Sequence, residues 1–186
     1  MPFGFVSGTT VKANVKSQKA ALQAMAKMVE AAVTDPTIIQ AAKAITANVD
    51  ARDDEGEIEA VFEAVKSGTD AVPGMSKGVR YVADPRDTDY YTAPAKLLQM
   101  CAAGACGEDC DGQALLVCAL LGAIGFAVGL RAWAPAKGQD FEHVYPVVAY
   151  PKNSASPDVV GLDTTVPSST VGWEPPKGYV LTAWVY

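Results

Sequence analysis

Apolar residues recur at helical spacing through the first third of the chain. Leu22, Met25, Val29 and Val33 fall on one face, with Lys19, Gln23, Lys27 and Glu30 between them. That pattern predicts a helix over residues 18–33, and its methionines read as core rather than as a ligand site. Residues 1–16 read as an extended arm. Asp35-Pro36 has the form of an N-cap and first helical residue, and Ile38, Ala42, Ile45 and Val49 supply the apolar face of the helix that follows. Asp54 and Glu57 resemble a capping box. They open a third helix through Ile58, Val61, Phe62 and Val65, which Gly68 ends. The acidic cluster Asp53, Asp54, Glu55 and Glu57 reads as a solvated helix start rather than a metal site.

A loop with Pro73, Gly74 and Gly78 follows, then a short strand over 79–82 and a turn at Asp84-Pro85. Pro94 starts a short helix carrying Leu97 and Leu98. After a loop at 104–109 comes the most apolar stretch, residues 114–121, which has no charged side chain. A helix apolar on every side is a buried, central one; Gly122 and Gly125 are expected to end it. Beyond it the period changes. Strands are predicted at 126–134, 142–150, 159–164 and 179–186, with a hairpin turn at 135–140 and loops at 151–157 and 166–177. Helices first and meandering strands second predict an α+β fold with an antiparallel sheet. The expected organisation is a single domain over 17–186, with a helical lead-in (17–78) and a core (79–186).

The chain has 186 residues, 49% of them hydrophobic, and a net charge of −6. It can bury a core without metals or disulfides. No basic stripe supports nucleic-acid binding, and no apolar run reaches membrane-spanning length. The N-terminus lacks the basic start and long apolar stretch of a secretion signal, so folding in a reducing cytoplasm is expected. Cys101, Cys106, Cys110 and Cys118 include no CxxC pair, which argues against structural zinc. Disulfides are not expected in that compartment. Cys118, inside the apolar run, reads as a small core residue.

Candidate chemistry gathers around Cys110, at the mouth of the buried helix. A thiol there meets free backbone N–H groups and the positive end of the helix dipole, which favour the thiolate. The flanking Glu108, Asp109 and Asp111 oppose it. A protonated His143 and the helix N–H groups are expected to prevail, because they act at contact distance while solvated carboxylates are screened. His143 is the only histidine and stands at the start of a predicted strand. Asp163 lies at the end of the next. Adjacent antiparallel strands can set these two side by side, and the central helix packed on that face can present Cys110, giving a nucleophile, a base and an orienter. The backbone N–H of Cys110 is the natural first oxyanion donor. Gln99, Gln113, Tyr90 and Trp133 are candidates for the second by polarity alone, and Trp133 and Trp173 are candidate cleft walls.

These residues resemble a known pattern. Gly107-Glu108-Asp109-Cys110-Asp111-Gly112-Gln113-Ala114-Leu115-Leu116 is similar to the nucleophile motif of the transglutaminase-like cysteine protein superfamily, whose usual form is Gly-Asp-Cys-Asp-Asp before a Leu-rich helix. Residues 120–126 resemble the end of that helix, and Glu142-His143-Val144-Tyr145 the histidine strand. Gly161-Leu162-Asp163-Thr164-Thr165-Val166-Pro167 resembles the aspartate motif, with Gly172-Trp173 after it. Residues 79–85 and the Pro94 helix resemble the lead-in of compact versions encoded by tailed bacteriophages and prophages. The resemblance spans roughly residues 20–178, and three motifs in order are specific where one would be weak. Glu108 lengthens the loop before the cysteine, and Gly112 replaces the second Asp.

The resemblance implies a papain-like α+β core in which Cys110 is the nucleophile, His143 the general base and acid, and Asp163 the group that orients the imidazole. It implies acyl transfer from an amide through a thioester, to water or to an amine, on a protein or peptide substrate, with no cofactor and no metal. The phage-type context implies a second reading: a virion head, neck or tail component using the fold as a scaffold, with other virion proteins as partners. The N-terminal arm and the last strand would then serve for β-addition. Neither reading involves nucleic acid or membrane.

Overall fold

The computed structural model describes residues 15–50, 52–84 and 90–185, and their side chains from residue 18 onward. Among them are five helices: α1 (Val15–Ala32), α2 (Pro36–Ile45), α3 (Asp54–Lys66), α4 (Pro94–Ala102) and α5 (Cys110–Ala123). A two-stranded parallel pair, β1 (Arg80–Tyr81) and β2 (Gly107–Glu108), precedes α5. A four-stranded antiparallel sheet follows it, built from β3 (Val128–Ala134), β4 (His143–Tyr150), β5 (Asp158–Gly161) and β6 (Tyr179–Trp184) in the order β5-β4-β3-β6. The fold is α+β, as the sequence pattern predicts. No described helix is long and apolar enough to cross a membrane.

Most of the fold packs on α5. Helices α1 to α4 lie against it, as do β2, β3 and β4, and α1 also touches β3 and β6. Every residue from Gly112 to Leu121 is buried. That is why the segment carries no charge: an ion on any face would lose its hydration. Leu115, Leu116, Leu120 and Leu121 are wholly enclosed, each worth about 1.5–3 kcal/mol in transfer free energy. Gly122 lies within the helix rather than ending it. A Cβ there would come within 2.6 Å of Val33 Cγ1, so the missing side chain lets the chain after α1 approach closely. Gly125, at φ +94°, makes the turn that follows.

Several expectations are corrected. Val15 and Lys16, placed in the arm, already belong to α1; residues 1–14 lie outside the described residues, as do Pro85 and Tyr186. The α3 cap is Asp53, not Asp54: its carboxylate accepts the Gly56 N–H at 2.9 Å. The acidic cluster is not simply solvated. Glu55 accepts the Tyr150 hydroxyl at 2.6 Å, Asp54 accepts the Lys152 N–H at 2.7 Å, and Glu57 pairs with the Lys152 ammonium. These contacts pin the loop after β4 onto α3. Part of the expected 104–109 loop is strand, because β1 pairs with β2. Asp163 stands two residues beyond β5, which stops at Gly161. The sheet is not a simple meander, since β6 crosses to the free edge of β3.

The cysteines supply a further correction. Cys101 and Cys106 form a disulfide. The turn between them brings them together: Gly104, at φ +86°, donates to the Cys101 carbonyl at 2.9 Å, and Ala105 donates to that of Met100 at 2.9 Å. Cys118 is fully buried in the core, with its sulfur 3.4 Å from the Gly129 carbonyl oxygen.

Candidate active site

The Asp109 side chain ends one conformation and starts another. Its carboxylate accepts the N–H groups of Asp111 (3.0 Å) and Gly112 (3.2 Å), capping α5 and leaving Cys110 as the first helical residue. Burial pushes the Asp109 carboxyl up to about 6, because desolvation outweighs the two N–H donors that favour its charge. Glu108 and Gly112, the two departures from the family motif, fit one another. A Cβ on residue 112 would fall 2.2 Å from Glu108 Cγ, so the Glu108 side chain fills the space that a side chain at 112 would take. Burial also raises the Glu108 carboxyl above its ordinary value, against the side-chain hydrogen bond with Thr92 and the Asp109 N–H.

His143 opens β4, opposite Trp133 of β3. Its Nε2 lies 2.5 Å from Oδ2 of Asp163. The other oxygen of Asp163 accepts the Thr165 N–H at 2.9 Å and the Thr165 hydroxyl at 2.8 Å. Burial raises the Asp163 carboxyl, but the His143 ring and these two donors lower it further, and the net position is below the usual carboxylate range. An ionised carboxylate only accepts hydrogen bonds. Nε2 must therefore carry the proton, and Nδ1 holds the lone pair in the neutral ring. The ring stacks on Tyr145, with centroids 5.9 Å apart.

Cys110 and His143 line the same cleft, a hollow of about 340 Å³. The Val144 N–H, one residue past His143, acts on the Cys110 sulfur in the direction that favours its thiolate. The sheet explains why this N–H is free for it. β5 pairs with β4 only from Val147 onward, and Leu162 bonds back to the Pro146 carbonyl at 2.9 Å. Val144, two residues earlier, faces the same side but has no strand opposite. The electrostatics run against the expected thiolate. Burial, first, and then the Asp111 and Asp109 carboxylates push the Cys110 thiol well above its ordinary value, and the Val144 N–H offsets only part of this. Cys110 rests as a neutral thiol.

The proposed second oxyanion donors are placed elsewhere. Gln113 is buried and bonded at both ends of its amide: its Nε2 donates to the Glu108 carbonyl at 3.2 Å and its Oε1 accepts the Thr164 hydroxyl at 2.9 Å. It is a strut joining the cysteine loop to the aspartate loop. Trp133 Nε1 donates to the Pro176 carbonyl at 2.9 Å. Gln99 lines a separate hollow beside α2, and neither Tyr90, Trp133 nor Trp173 lines the cleft. Its walls come instead from Leu22 and Met25 of α1, Tyr91 and Phe141. Gln18 also faces it, with Oε1 accepting the Phe141 N–H at 3.3 Å.

On the far side of the loop after Asp163 lies a second hollow, of about 510 Å³, lined by Lys66, Lys77, Arg80, Thr164 and Thr165. Lys66 is committed there. Its ammonium donates to the Val166 carbonyl at 3.0 Å, to the Ser169 hydroxyl at 2.7 Å and to the Ser169 carbonyl. Ser169 Oγ in turn donates to the Asp163 carbonyl at 2.5 Å. Sequence reasoning missed Lys66, Ser169, Val144 and the role of Gln113. Their partners lie on other elements, and most of the contacts involve backbone atoms that carry no residue signature. Among the described residues no group of three or more His, Cys, Asp or Glu side chains is arranged to hold a metal ion. A scan against protein-family models, a search of curated proteins and a search of solved structures return no match to this chain.

Proposed function

We propose that the protein is a cysteine-dependent acyl-transfer enzyme acting on amides, of the papain-like, transglutaminase-like kind. The observation that carries this reading is the His143–Asp163 contact at 2.5 Å in the cleft that Cys110 also lines. Because Cys110 rests as a thiol, His143 acts as a general base rather than as half of a standing ion pair. As the sulfur attacks the amide carbon, the thiol proton passes to Nδ1. Asp163, on Nε2, stabilises the imidazolium that results. The C–N bond breaks as Nδ1 returns that proton to the leaving amine, and a thioester remains on Cys110. Water, deprotonated by His143, then attacks the thioester; the C–S bond breaks, the acid leaves, and His143 returns the proton to the Cys110 sulfur. An acceptor amine in place of water gives transfer. Hydrolysis is the default, since transfer needs a site that excludes water. The Cys110 N–H, at the helix mouth, is the donor for the tetrahedral oxyanion.

The test is incubation with lysine- and glutamine-containing peptides, with and without an added primary amine, followed by mass spectrometry. Products carrying added water or added amine are expected, and both disappear in Cys110→Ala and in His143→Ala. Products unchanged in Cys110→Ala would overturn the reading.

A further inference from the structure

Among the described residues, the permanently charged groups lining the cleft around Cys110 are all acidic, with His143 the one base beside them. Asp109, Asp111, Asp140 and Glu142 contribute carboxyl groups, and no lysine or arginine lines it among the described residues. These four differ in what they do. Asp109 caps α5, and Asp111 contacts the Cys110 thiol. Asp140 and Glu142 sit at the rim, on the connection from β3 to β4. Both are exposed, and neither carboxylate makes an ion pair or hydrogen bond among the described residues. Leu22, Met25, Phe141 and the Tyr91 ring give the same cleft apolar walls, beside the polar Gln18. Apolar walls next to exposed carboxylates match an aliphatic stem that ends in a positive charge.

We propose that this cleft takes a cationic peptide segment, in which the amide attacked by Cys110 lies beside a lysine or arginine side chain whose charge meets Asp140 and Glu142. The proposal rests on the acyl-transfer reading and names the substrate class for that site. A cleft lined by one sign of charge concentrates ligands of the opposite sign.

Cys110 itself reports on the field, because Cys118 is buried and Cys101 is bridged to Cys106. The experiment compares two methanethiosulfonates of similar size, one bearing a trimethylammonium group and one a sulfonate. Each forms a mixed disulfide with Cys110 and releases methanesulfinate. Rates are normalised to those with a small neutral thiol, and Cys110→Ser supplies the background. At low ionic strength the cationic reagent is expected to react at least about tenfold faster than the anionic one, and salt should erase most of the difference. The Asp140→Asn, Glu142→Gln double variant should reduce the ratio several-fold. An oligolysine peptide should slow modification by the neutral methyl reagent, where an oligoglutamate does not.

A wild-type ratio near one at low salt overturns the proposal, as does equal protection by the two peptides, and both measurements stand even if the double variant fails to fold. The labelling needs neither His143 nor Asp163. A charge ratio in the wild type alongside absent acyl transfer in the wild type would therefore sink the catalytic reading alone, and acyl transfer without a charge ratio would sink the substrate class alone.

Discussion

Two hollows flank the loop that carries Asp163, and Lys66 in one and the rim carboxylates in the other treat charge in opposite ways. In the basic one, Lys66 is surrounded by oxygen acceptors, two of them backbone carbonyls, and its charge holds the loop in place. In the acidic one, Asp140 and Glu142 stand at the rim without a counter-ion among the described residues. A charge that fold contacts have already satisfied stabilises; a charge left open to solvent is available to a ligand. The sign of a pocket therefore says less about binding than whether its charges are already engaged. Asp163 lies between the two. Its backbone is tied to the basic side through Ser169, and its carboxylate faces the acidic side through His143.

The comparison breaks most severely at Asp163 itself. Asp163→Asn keeps the shape but lets Nε2 act as acceptor, placing the proton on the wrong nitrogen; the acyl-transfer rate should fall by about 10⁴ while the melting profile stays cooperative. The next effect is on stability against pH. The Asp109 carboxyl moves from 3.8 to about 6 on folding, so between those values the folded state holds the extra proton. Stability from this group is therefore greatest below about pH 4 and falls by up to about 3 kcal/mol as pH rises to 6 and above. Asp163 has the opposite sign: its depressed value contributes stability that is present above the unfolded carboxylate range and lost as pH falls through the folded value. Urea titrations from pH 3 to 8 should show the Asp109 decline, and Asp109→Asn, whose amide caps nearly as well, should remove it.

On the basic side, Lys66→Met leaves the Ser169 and Val166 oxygens short of a donor. We expect a loss of about 1–3 kcal/mol in urea unfolding, where Asp140→Asn should change stability by less than about 0.5 kcal/mol. Equal losses in the two variants would erase the distinction between engaged and open charge. The smallest effect concerns Gly112. Gly112→Ala drives a methyl group into Glu108 and should cost about 1 kcal/mol net, the helix propensity of alanine offsetting part of the clash. In Glu108→Ala, Gly112→Ala the clash is gone, so the double-mutant cycle should show clear coupling.

The helices and strands were legible because burial on α5 leaves so plain a trace: an uncharged run cannot face water, and the amphipathic stripes of α1 to α3 must face that run. His143 and Asp163 were legible as a pair because they flank neighbouring strands. Three things were not. The state of the Cys110 thiol depends on how deeply it is buried and on which carboxylates share that burial, and chain order gives neither. The Cys101–Cys106 bridge follows from a turn geometry centred on Gly104, which composition and compartment arguments pass over. Gln113 was weighed as an oxyanion donor by its polarity, but its amide is already bonded at both ends.

The strand order has a consequence for biosynthesis. β3 lies between β4 and β6, and β6 is made after both. While the ribosome is still adding the loop before it, β3 can pair with β4 but keeps its other edge bare, beneath side chains such as Val128, Leu130 and Ala132 that are buried once folding is complete. A nascent or prematurely released chain lacking Tyr179–Trp184 therefore exposes an adhesive ribbon of peptide groups, and chaperone capture or aggregation of such fragments should begin there.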